Sequence, residues 1–127
     1  MPGRVLLIDD ELQMLNMLKT GLETVGGFEV HIANSGKEGI QLARRLNPDV
    51  IILDICMPKM NGIEVLRTLK SKHPVSGIPV IMLSSLSDES TKMECNYEYG
   101  EEYIQKPVAI AELKKRIDSV LARTGRR

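Results

Sequence analysis

Five short apolar runs recur along the chain: VLLI at 5–8, FEVHIA at 28–33, VIILDI at 50–55, VIMLSS at 80–85 and the brief Tyr103-Ile104. Amphipathic stretches separate them. Strand-length and helix-length segments in alternation are the pattern of βαβ units, whose strands run parallel because each helix carries the chain back across the sheet. The third and fourth runs are apolar almost throughout, as strands covered by helices on both faces must be. FEVHIA mixes polarity and suits a place nearer an edge. An α/β fold on a five-stranded parallel sheet is therefore expected.

The intervening stretches carry helix punctuation. Leu15, Leu18 and Leu22 form one apolar stripe ended by Gly26-Gly27, and Ser35 with Glu38 reads as a capping box. Asn61 followed by Glu64 opens another helix, in which Ile63, Leu66 and Leu69 keep near-helical spacing until His73-Pro74 stops it. A last helix is expected over 111–122, with Leu113, Ile117, Val120 and Leu121 inward. Residues 88–100, DESTKMECNYEYG, offer Met93, Tyr97 and Tyr99 but few aliphatic anchors, so a marginal, mobile helix is expected there.

A chain of 127 residues suits one domain, able to bury about two thirds of its unfolded surface without staples. The expected core is 4–122, with 123–127 as a solvated tail or the start of a connection to an output domain. Basic and acidic residues number 17 each, which gives no reason to expect nucleic acid or an anionic membrane as the main partner. Cys56 and Cys95 lack a CxxC spacing, so neither a zinc site nor a disulfide framework is indicated. No apolar stretch approaches the roughly 20 residues a membrane span needs. A soluble, unsecreted, cytoplasmic protein is the expectation.

Parallel strands that end together gather whatever follows them. Asp9 and Asp10 follow the first run, Asp54 lies near the end of the third, and Lys106 follows the fifth. Carboxylates converging there repel one another unless cations balance them. Lys106 supplies one positive charge, and a divalent metal is the natural missing component. Plainer roles exist for each: Asp9 or Asp10 can cap the next helix, although one cap needs one acid. Asp54 can cap a turn, and a lone lysine near a strand end is usually solvated.

Four strings, IDDE after the first strand, LDICMPKMNG around the third, LSS after the fourth and YIQKP at the fifth, together resemble the receiver domain of two-component response regulators, the CheY-like superfamily. The resemblance spans essentially the whole chain. It implies a doubly wound, flavodoxin-like (βα)5 fold with strand order 2-1-3-4-5 and a site at the carboxyl ends of the strands. It also implies that Asp54 is the phosphoacceptor, taking a phosphoryl group from a sensor histidine kinase or histidine phosphotransfer protein. Mg2+, or Mn2+, would be held by Asp10 and Asp54 directly, by the Cys56 backbone carbonyl, and by Asp9 through water. Lys106, before a cis Pro107, and Ser84 would contact the phosphoryl group, with Ser85 as competitor for the hydroxyl role. Tyr103 resembles the switch aromatic, a half-buried structural tyrosine being the plain alternative. Met57-Pro58 and Asn61-Gly62 would frame the pocket as a turn, with Gly62 tolerating a tight backbone.

Two departures carry consequences. Receivers often have Gly-Ala-Asp before the acid-aromatic pair, whereas this chain reads Tyr99-Gly100-Glu101-Glu102-Tyr103. A phosphorylation-dependent dimer is left open, its mode undetermined. Cys56 and Leu86 stand at the positions that flank phosphate, and neither side chain orients attacking water, so slow self-hydrolysis is expected.

The leading expectation is a phosphorylation-activated switch that catalyses only its own phosphotransfer and autodephosphorylation, acting on a downstream protein or a fused output domain. One alternative is a phosphorylation-independent interaction module. Another is a small Mg-dependent phosphohydrolase, which would need a further acid or base near Asp54; His31 and His73 lie in the wrong segments for that.

Overall fold

Strands β1 (Arg4–Ile8), β2 (Glu29–Ala33), β3 (Val50–Asp54), β4 (Val80–Ser84) and β5 (Glu102–Gln105) form one parallel sheet in the order β2-β1-β3-β4-β5. Helices α1 (Leu12–Gly26), α2 (Gly36–Leu46), α3 (Gly62–Leu69) and α4 (Ile110–Thr124) flank it. The computed structural model describes residues 3–55, 62–84 and 102–125. The expected helix over 88–100, the glycine shift before Tyr103 and the last two arginines lie outside that range.

Alternation along the strands divides the core into two layers. Leu6, Ile8, Ile51, Leu53 and Met82 face α2 and α3, meeting Ile40, Ala43, Leu66 and Leu69. Val5, Leu7, Ile52, Ile81 and Leu83 face α1 and α4, meeting Leu18, Leu22, Leu113 and Ile117. β3 is buried along its whole length, while β2 at the sheet edge is not. This is the difference that the apolar VIILD and the mixed EVHIA anticipate.

Element ends follow local chemistry, with small departures from expectation. Gly27 closes α1 at φ 67°, its N–H donating to the Glu23 carbonyl at 3.1 Å while Phe28 N–H reaches Leu22 O at 3.4 Å. Phe28 thus belongs to the cap, and β2 starts one residue later. Ser35 Oγ accepts from Glu38 N–H at 3.2 Å, but the Glu38 carboxylate takes the Asn34 N–H at 2.9 Å instead of Ser35's own. α3 ends at Leu69, ahead of the cis His73–Pro74 bond. Lys70 Nζ then donates to the Ile78 carbonyl at 2.9 Å, tying down the connection to β4. α4 starts one residue before and ends two residues after the expected 111–122, and Gly125 caps it at φ 71°. Residues 123 and 124, expected in a tail, are helical. Among the described residues no helix is long and apolar enough to cross a membrane.

Candidate functional site

Register sets the site. Ile8 pairs with Leu53, and Asp54 pairs with Leu83, so Asp9 and Asp54 emerge side by side at the carboxyl edge. They are only 2% and 3% exposed, whereas Asp10, next along the turn, faces solvent. One carboxylate oxygen from each of Asp9, Asp10 and Asp54 lies within 4.8 Å of the others. From β5, Lys106 reaches across the edge: its Nζ is 2.9 Å from Asp54 Oδ1 and 3.5 Å from Asp9 Oδ2. The Lys106–Pro107 peptide is cis, as the resemblance implied.

The two oxygens of Asp9 have different fates. Oδ1 accepts the Glu11 N–H at 3.0 Å and so shapes the turn into α1, whose N-cap residue Glu11 makes no side-chain cap of its own. This bond holds the residue before the helix and is not a cap on the helix's own first-turn N–H groups. Oδ2 is buried without a hydrogen-bond partner among the described residues, and the Lys106 ammonium attracts it without meeting it in a hydrogen bond. Burial pushes the Asp9 carboxyl up to about 6 against the Glu11 N–H, with the negative charge of Asp54 adding to the rise and Lys106 opposing it. At Lys106, burial works to lower the affinity for its proton. The hydrogen bond to Asp54 and the attraction of Asp54, Asp9 and Glu11 outweigh that and raise it, so the ammonium stays charged.

A divalent cation fits this donor set. Among the described residues three carboxylates stand against one ammonium at one sheet edge, and a buried carboxylate oxygen without a donor is costly. All-oxygen ligands belong to hard cations of the magnesium class. The acidic triad is able to hold a metal ion.

Gly62 sits against the acceptor strand for a steric reason. Its N–H donates to the Ile55 carbonyl at 2.6 Å, and a Cβ there would stand 2.5 Å from Ile55 Cα and 2.6 Å from the Asp54 carbonyl. Its φ lies outside the left-handed region, so what excludes a side chain is the close approach of backbone. Ser84 closes β4 beside Gln105, and Tyr103 lies in β5 beside Met82. Their side chains, and all of Cys56, Met57 and Pro58, lie outside the described residues. Pro107 is exposed at the pocket margin. His31 pairs with Glu29 at 2.8 Å on edge strand β2 and His73 follows α3, both away from the acids. The residue that sequence reasoning left without a role is Glu11: its N–H holds Asp9 and its charge acts on Lys106. The final letter of IDDE was the available signal.

The family profile described as the response regulator receiver domain matches residues 5–118. The chain belongs to this family. As a receiver it is part of two-component signalling and carries the CheY-like fold. It is 35% identical over 124 residues to the probable transcriptional regulatory protein TcrX of Mycobacterium tuberculosis, covering 98% of this chain and 52% of TcrX. With protein PilH of Pseudomonas aeruginosa it shares 36% identity over 120 residues, 94% of this chain and 98% of PilH. The chain spans about half the length of TcrX and of the probable transcriptional regulators ycf27 of Porphyridium aerugineum and Guillardia theta that it also matches. Among solved structures, a receiver domain protein from Clostridium thermocellum superposes with a TM-score of 0.89 at 33% identity over 97% of both chains. Chemotaxis protein CheY4 of Vibrio cholerae gives 0.86 at 29% identity, covering 95% of this receiver and 100% of CheY4.

Proposed function

We propose that this receiver is a phosphorylation-controlled switch with Asp54 as its acceptor, residues 1–127 forming one receiver unit. The observation that carries the reading is Asp54 Oδ1 at 2.9 Å from Lys106 Nζ within a buried acidic cluster. A carboxylate oxygen of Asp54 attacks the phosphorus of a phosphohistidine on a sensor kinase or phosphotransfer protein. The new P–O bond forms as the P–N bond breaks, and the imidazole nitrogen keeps the electron pair.

Lys106 offsets charge on the transferring oxygens, and Ser84 donates its hydroxyl to one of them. Asp9, Asp10, Asp54 and the Cys56 carbonyl would hold Mg2+ or Mn2+, which when bound supplies further neutralisation of the phosphoryl oxygens. Movement of Ser84 toward phosphate draws Tyr103 inward, and that changes the surface offered to a partner. Cys56 and Leu86 leave attacking water unoriented, so the phosphorylated state decays slowly. Chemistry is confined to the receiver's own phosphotransfer and autodephosphorylation. By analogy with TcrX, a probable transcriptional regulatory protein, the output passes to a downstream protein or a fused domain in the cytoplasm.

The test is labelling with acetyl phosphate and with histidine kinases in magnesium, alongside amide spectra with magnesium and beryllofluoride. A switch takes up one phosphoryl group per chain, loses it in Asp54→Asn and shifts amides at the carboxyl strand ends. No labelling from any donor points to a phosphorylation-independent module. Steady turnover of phosphate esters points to a hydrolase.

A further inference from the structure

Charge on this chain balances in number, 17 against 17, but is spread unevenly along the sequence. Between residues 39 and 48 and between 65 and 87 the sequence holds Arg44, Arg45, Arg67, Lys70, Lys72 and His73 and no aspartate or glutamate. These residues gather where α2 and α3 end, at the edge of the sheet opposite the acidic cluster. Basic residues in the last turns of α2 and α3 complement the helix dipoles. That explains Arg44, Arg45 and Arg67. It does not explain a cavity of about 370 Å³ between the two helix ends.

Ile40, Leu69 and Val75, buried members of the core, line the cavity together with Pro74. Arg44, Lys72 and His73 stand exposed around the mouth, and among the described residues none of the three is paired with an acid. Thr68 adds no free hydroxyl, since its Oγ1 donates to the Glu64 carbonyl at 2.9 Å. An apolar lining inside a cationic rim selects for an anion with an apolar anchor.

We propose that this cavity docks an acidic peptide segment of a partner protein. One large apolar side chain enters the cavity, and flanking carboxylates meet Arg44, Lys72 and His73. A bare phosphate would find no donors on Ile40, Leu69 or Val75, and His73 at the rim is the one aromatic ring among the lining residues, too few for the successive base stacking that holds a nucleic-acid strand. The mouth opens between exposed side chains, so a small ligand would keep more surface in water than the 10–30% typical of enclosed sites. A peptide covers that mouth with its own backbone. Because the cavity lies opposite Asp54, docking leaves the acceptor accessible, and the two surfaces work at once. The inference stands independently of the phosphorylation reading.

The experiment titrates the isotope-labelled full chain with a blocked peptide carrying one phenylalanine between short runs of aspartate. The expected result is amide shifts confined to 40–45 and 68–75, with a dissociation constant on the order of 0.1–1 mM. Replacing the phenylalanine with glycine weakens binding about tenfold, and so does the double variant Arg44→Glu, Lys72→Glu. Amide positions in β1, β3 and β4 that match wild type show that this variant is folded. The proposal is overturned if no shifts localise there, if inorganic tripolyphosphate shifts the same amides as strongly, or if decanoate does. The last two outcomes would mark a plain anion site or a small-amphiphile site.

Discussion

Lys106 Nζ lies 2.9 Å from Asp54 Oδ1 and, at 3.5 Å, also faces Asp9 Oδ2. One ammonium from beyond β5 is therefore counter-ion to buried carboxylates at the ends of β1 and β3. It cannot satisfy both: Asp54 takes the short contact, and among the described residues Asp9 keeps an oxygen without a donor. The edge is electrostatically incomplete, and its behaviour depends on what completes it.

Replacing Lys106 with methionine should slow acetyl phosphate labelling of Asp54 roughly a hundredfold, the usual range for losing one positioned charge donor. Magnesium affinity should rise, because the lost ammonium competes with the ion for the same carboxylates. Labelling kinetics and a magnesium titration on one sample check both. A fall in magnesium affinity would mean that Lys106 acts by holding the pocket in shape.

Asp9 makes stability depend on pH. Its carboxyl is raised from 3.8 to about 6 on folding, so folding penalises the charged form. The native state is favoured fully below the unfolded value, and that advantage is lost as pH rises through about 6. Two pH units correspond to roughly 3 kcal/mol. In EDTA, wild type should lose stability between pH 5 and 7.5, and Asp9→Asn should flatten that slope while being about 1–3 kcal/mol more stable at the upper end. Urea denaturation at both pH values is the check, and equal slopes would remove Asp9 as the source.

Gly62→Ala should destabilise the fold by roughly 1–3 kcal/mol, since the new methyl meets backbone rather than a side chain that could turn away. The atoms it would strike, Ile55 Cα and the Asp54 carbonyl, belong to the acceptor segment. Labelling of Asp54 should therefore slow as well, even where the variant is still folded. Thermal unfolding with labelling kinetics would show it; a variant as stable and as fast as wild type would mean that the segment moves aside freely.

What was legible in the sequence was whatever short-range pattern or strand-end position encodes. The apolar VIILD could only be a covered strand, and Asp9 and Lys106 follow, and Asp54 ends, strands whose parallel pairing brings their ends level. What stayed hidden depends on distances between segments. Ser35 and Glu38 spell a capping box, yet the carboxylate bonds Asn34, a choice made by side-chain reach. Gly62 reads as a glycine that tolerates a tight backbone, but that the backbone packed on it is Asp54-Ile55 is set only in three dimensions. Phe28 has strand character and is spent closing the α1 cap. Arg116 and Arg123 carry no motif, yet each lies 3.0 Å from Glu102 and so fastens α4 to β5, which helps the helix run on to Thr124.

Magnesium should stabilise the receiver, by about 2.7 kcal/mol at a hundredfold excess over its dissociation constant. The ion would relieve the unbalanced charge of the acids and reach the Asp9 oxygen that Lys106 leaves unbonded. Asp10→Asn separates this from general charge effects, because Asp10 is exposed and its loss should change the stability of the metal-free protein little. The same substitution removes a ligand oxygen and its charge, so magnesium affinity should fall roughly tenfold or more and the melting shift should shrink accordingly. Melting curves with EDTA and with magnesium, for both proteins, decide it. If Asp10→Asn keeps the full magnesium shift, the ion binds elsewhere and the acidic edge must be balanced in another way.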